Sequence, residues 1–153
     1  MSKINRYSVL FVVLLGILLC YYVQNYEAHN LRCIIASKDG NRYCVRERNK
    51  LELAANLLAT ATTNCKKLVA FLKETQPEDA RVQQLIKNFN PTKISETLPT
   101  SELTAYSENK GEKLAFCLNT TKNGNKLIDP HTLTFVAMHE LAHLMTTSIG
   151  HKT

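Results

Sequence analysis

The chain has no C-x-x-C pair, no A-x-A-like cleavage site until well past its apolar N-terminal run, no block of like charge, no internal repeat and no low-complexity tract. Each absence closes off a class. Without C-x-x-C, neither a zinc ribbon nor a thioredoxin-like redox motif is expected. Without a cleavage signature, a retained anchor is favoured over a signal peptide, although Lys3 and Arg6 form the positive leader common to both. The formal charge is +6, with Lys3 and Arg6 among its contributors, and the basic residues are scattered. No specific nucleic-acid partner is therefore expected, while weak attraction to anionic lipid is compatible with the charge.

What is present divides into two parts. Tyr7 to Val23 is apolar and free of charge, with tyrosines at both ends, and at about 1.5 Å per residue it would cross roughly 25 Å of hydrocarbon as a helix. Residues 1–26 are accordingly expected to be an N-terminal transmembrane helix that makes this a single-pass membrane protein, its lipid contacts made through that helix and its N-terminus cytosolic. Residues 27–153 are left for one α+β domain with one small core. Four of the five cysteines fall in that domain, and two readings stay open: buried free thiols, or two disulfides. Cys33 and Cys44 flank a hairpin and are able to face each other.

Leu31 to Ser37 and Arg42 to Arg46 have strand-like composition around the turn Lys38-Asp39-Gly40-Asn41. From Lys50 to Thr75, apolar residues at Leu51, Ala54, Leu58, Cys65, Leu68, Val69 and Leu72 predict one long amphipathic helix, with Asn49 as its N-cap. Pro77 ends it, and a second helix carries Val82, Leu85, Ile86 and Phe89. Asn90 to Ser101, with two prolines, reads as a connecting loop. A second hairpin follows, with Thr104 to Ser107 and Glu112 to Leu118 around Glu108-Asn109-Lys110-Gly111. The last helix starts at Asp129-Pro130, a cap followed by a proline suited to the first position.

That helix carries His139-Glu140-Leu141-Ala142-His143. Residues four apart share a helix side, so both imidazoles can reach one metal ion, and Glu140, about 100° further round, can serve a water beside it. The expected chemistry is peptide hydrolysis: zinc acidifies a water, and Glu140 takes its proton and passes it to the leaving amine. The apolar setting of Phe135, Val136, Met138, Leu141, Ala142 and Leu144 predicts burial of these polar groups, which a metal would offset. A catalytic zinc needs a third protein ligand. His131, eight residues before His139, would stand about 12 Å away along the axis, whereas His151 can return after Gly150, a residue suited to a C-cap, and is the preferred third ligand. A metzincin would have glycine and histidine where Thr146 and Ile149 stand, and Cys117 lacks the glycine that precedes the ligand cysteine of peptide deformylases. The strand Leu114 to Leu118 is expected beside this helix, with an edge open to an extended substrate.

These residues resemble the WLM-like metallopeptidases, particularly the short membrane-anchored members encoded by large DNA viruses. The likeness runs through the N-terminal apolar segment, Ile86-Lys87-Asn88-Phe89-Asn90-Pro91, Asn109-Lys110-Gly111-Glu112-Lys113, Phe116-Cys117-Leu118, Phe135 to His143 and Ser148-Ile149-Gly150-His151. It implies a compact zincin-like fold with a small antiparallel sheet, His139, His143 and His151 as zinc ligands, Glu140 as catalytic base, and a protein or peptide substrate. Family members continue after the histidine that His151 matches into a further helix opening with a Phe-Trp pair, where this sequence has Lys152-Thr153, so a domain truncated at its C-terminus is expected. The alternative is a catalytically silent, membrane-tethered interaction module that retains the motif.

Overall fold

The computed structural model describes residues 5–29, 31–121 and 124–146. The elements in chain order are α1 (Arg6–His29), β1 (Leu31–Ile35), β2 (Arg42–Arg46), α2 (Leu51–Thr75), α3 (Ala80–Asn88), β3 (Ile94–Glu96), β4 (Ala105–Glu108), β5 (Lys113–Phe116) and α4 (Pro130–Leu144). Among the described residues the fold is therefore α+β, with four helices and one five-stranded sheet in the order β1-β2-β3-β5-β4.

Local chemistry accounts for most of these boundaries. In the β1–β2 turn Gly40 takes φ +71°, and the Asp39 carboxylate accepts hydrogen bonds from the Asn41 N–H at 3.0 Å and the Tyr43 hydroxyl at 2.7 Å. Burial, and then the nearby Asp39 carboxylate, push the Tyr43 hydroxyl up to about 12. Lys50, not Asn49, stands at the N-cap of α2, with no side-chain hydrogen bond, so this helix is held by its apolar stripe. Asp79 caps α3 by accepting from the Arg81 N–H. The Arg81 side chain, its closest partner, holds that carboxyl down to about 2.

The expected antiparallel sheet is corrected to a mixed one. β1 and β2 pair antiparallel, as do β4 and β5, but β3 pairs parallel with both β2 and β5. Parallel neighbours require a crossover, and α2 with α3 supplies the one between β2 and β3. Strand β3 lies within the segment expected to be a loop, and all three of its residues are buried. Tyr43, Val45, Ile94, Leu114 and Phe116 join the core that α2 fills with Ala54, Ala55, Leu57, Leu58, Ala59, Ala61 and Cys65.

The cysteine alternatives resolve into a mixture. Cys33 and Cys44, paired across β1 and β2, form a disulfide, while Cys20, Cys65 and Cys117 are free. Burial alone raises the Cys65 thiol to about 12, so it packs as an inert apolar group.

The membrane-spanning expectation is overturned, and with it the single-pass localisation. Among the described residues, no helix is long and apolar enough to cross a membrane. The charge-free run Tyr7–Val23 would rise only roughly 25 Å against a hydrocarbon thickness of about 30 Å. Beyond it the sequence of α1 turns to Gln24, Asn25, Glu27 and His29.

Candidate metal centre

Helix α4 is built from its first residue. Asp129 accepts from the backbone N–H of His131 at 3.0 Å and of Thr132 at 2.9 Å, and Pro130 takes the first position, where no N–H is needed. Its carboxyl is held below the usual range, first by the Thr132 hydroxyl and then by the Thr132 N–H. Leu133, Ala137, Leu141 and Leu144 form the buried stripe, which packs the helix against α2, α3, β4 and β5. That packing fixes which way the polar residues point.

His139 is exposed on the side away from the stripe, His143 is half-buried at its flank, and Glu140 lies at its margin. The two Nε2 atoms are 3.1 Å apart, the ring centroids are 4.8 Å apart, and the planes cross at 85°. One ligand atom from each of His139, Glu140 and His143 falls within 4.8 Å of the others, and among the described residues this is the grouping able to hold a metal ion. Two nitrogens bound to one tetrahedral zinc at about 2.1 Å would stand about 3.4 Å apart. The observed pair needs only a small adjustment to share an ion, provided each ring keeps its proton on Nδ1 and presents the Nε2 lone pair. The donor set of two imidazoles and a neighbouring carboxylate suits zinc.

One premise of the motif reading is reversed. Burial cost was expected to force a metal partner on these groups, but His139 is exposed and His143 half-buried, and Glu140 is the most enclosed of the three. Phe135 is 72% and Met138 39% exposed on the same outer side, so the apolar composition of α4 reflects two faces instead of one buried cylinder. What favours a metal is convergence of the donors.

The remaining candidates are placed as follows. His131 is exposed in the first turn of α4 and stays apart from the centre. Cys117 is buried after β5, its thiol 3.8 Å from the Asn119 carbonyl oxygen, and it too is outside the group. His151 and Gly150 lie outside the described residues. Helix α4 ends with Met145 as its C-cap in the right-handed helical region, without a glycine.

Sequence reasoning missed a second polar cluster. The Glu96 side chain, fully buried on β3, accepts from the Arg46 N–H at 2.7 Å, lies 3.6 Å from Arg46 Nε, and pairs directly with Arg48 Nη2. Arg46 Nε also donates to the Thr97 carbonyl at 2.7 Å, and Arg48 Nη1 to Asn119 Oδ1 at 2.8 Å. The cluster ties β2 to β3 and to the segment after β5. Each of these contacts joins residues 48 or more positions apart along the chain, so no local pattern signals the cluster.

No protein-family profile matches the chain, and no solved structure matches it. An uncharacterized protein of Acanthamoeba polyphaga mimivirus is 26% identical over 129 residues, a match covering 82% of this chain and 64% of the relative. The chain thus spans less than two thirds of the length of that viral protein, to which it is similar.

Proposed function

We propose that this chain is a zinc-dependent metallopeptidase of the WLM-like type, hydrolysing peptide bonds at the centre formed by His139, Glu140 and His143. The observation that carries the proposal is the 3.1 Å approach of the two Nε2 atoms with a carboxylate inside the same small group. His139 and His143 would hold the ion, with His151 as the proposed third ligand. Bound there, zinc supplies Lewis acidity, which makes a nucleophile available near neutral pH and stabilises charge developing on a carbonyl oxygen. The Glu140 carboxylate accepts the proton lost from the attacking water and returns it to the departing amine.

The substrate-holding edge expected at Leu114–Leu118 is corrected by the sheet order. β5 lies inside the sheet between β3 and β4, and the edge beside α4 is β4. The Cys117 N–H donates to the Thr104 carbonyl at 2.7 Å. Alternation along an antiparallel ladder then turns the backbone groups of Ala105 and Ser107 away from β5, open to an extended peptide. Ser107→Pro removes one outward N–H without breaking the β4–β5 ladder. It should raise KM for a peptide substrate while leaving zinc content unchanged; an unaltered KM would remove β4 from substrate binding.

The proposal is tested with a mixture of denatured proteins whose new N-termini are labelled after incubation. New termini should appear with the zinc-loaded chain, disappear on chelation and return with added zinc. Cleavage that persists through chelation would contradict it.

A further inference from the structure

Two sequence segments take no part in the chemistry above, Ile86 to Pro91 and Asn109 to Lys113, yet the fold brings both to the C-terminal end of α4. Gly111, at φ +108° in the β4–β5 turn, fits so closely that a Cβ there would stand 2.5 Å from the Asn88 carbonyl oxygen and 3.0 Å from a Leu144 methyl carbon. A helix end leaves its last carbonyls without intrahelical donors, and fraying starts there. In α4 that last turn contains His143, so any fraying separates one Nε2 from the other.

Four carbonyls at this end have donors among the described residues. The Ala142 oxygen accepts from the Met145 N–H at 3.2 Å. The His143 oxygen accepts from the Thr146 N–H at 3.3 Å and from the Thr146 hydroxyl at 3.1 Å. The next two donors come from another helix: Asn88 Nδ2 reaches the Leu144 oxygen at 3.4 Å, and Gln84 Nε2 reaches the Thr146 oxygen at 3.0 Å. Gln84 and Asn88 are one helical turn apart on α3, so both amides meet the chain end from the same side.

We infer that Gln84 and Asn88 are positioning residues for the metal centre, holding the last turn of α4 so that His143 stays in register with His139. This rests on the zinc reading of that site. It assigns α3 a role distinct from core packing, since its buried residues Val82 and Leu85 supply the packing and its side-chain amides supply the clamp.

The experiment compares zinc affinity, by competition with a chromogenic chelator, in the full chain and in Gln84→Glu, Gln84→Lys and Asn88→Leu. Gln84→Glu keeps the shape but sets a carboxylate against a carbonyl, whereas Gln84→Lys retains a donor. Zinc affinity should fall about tenfold in Gln84→Glu and Asn88→Leu and recover in Gln84→Lys, as for other groups that support a metal ligand from behind. In the zinc-free protein, the ring resonances of His143 should broaden in Gln84→Glu while those of His131 stay sharp. Zinc affinity and ring resonances that are unchanged in Gln84→Glu and Asn88→Leu would overturn the clamp and leave the zinc reading standing. A wild-type chain that takes up no zinc would overturn both.

Discussion

Glu140→Gln is expected to lower peptide turnover by about 10²–10⁴-fold while zinc uptake stays at the wild-type level. The amide nearly matches the carboxylate in shape, so packing at the margin of the buried stripe is preserved, but it cannot accept a proton at any relevant pH. The histidines that would hold the ion are untouched, and the effect should fall on kcat with little change in KM, as when a group acts only in the transition state. Parallel measurement of metal content and turnover separates this outcome from simple loss of the ion. Equal turnover in Glu140→Gln and wild type would end the assignment of Glu140 as the base.

The second large effect concerns stability. Glu96→Ala should destabilise the fold by about 3–5 kcal/mol, because it leaves Arg46 and Arg48 beside each other in a buried site without the carboxylate between them. The Arg46 N–H would also lose its acceptor. Replacing Arg46 and Glu96 together should cost less than the sum of the single changes, since each single change already removes the Arg46–Glu96 contact, although Glu96 keeps Arg48 when Arg46 is lost. Urea unfolding of the two single variants and the double variant gives the coupling. Strict additivity would show that the cluster is not an energetic unit.

What was legible in the sequence follows from how local each cause is. Asp39 and Gly40 specify the first hairpin within a few residues, and Asp129-Pro130 specifies the start of α4 through backbone N–H groups one turn away. The stripe of α2 was readable for the same reason: its period is local, although its cap was misplaced. β3 was not readable, because a three-residue strand with Glu96 in it carries no alternation, and its pairing depends on arginines brought in from β2 and just beyond it. The parallel register follows from that hidden strand. The spacing of His139 and His143 is a local signal too, and their Nε2 atoms stand 3.1 Å apart. Their exposure was misjudged because α4 is apolar on its outer side as well, at Phe135 and Met138. The length of the charge-free run in α1 was legible, but its reach did not suffice for a membrane span.

The pairing of His139 with His143 around a single divalent ion is tested most directly by counting zinc in the purified chain. Demetallated protein titrated with zinc should saturate at about one equivalent, and His139→Ala should take up almost none while unfolding at nearly the wild-type urea concentration, because His139 is exposed and contributes little to the core. Zinc uptake by His139→Ala equal to that of the wild type, or none by the wild type, would contradict the account.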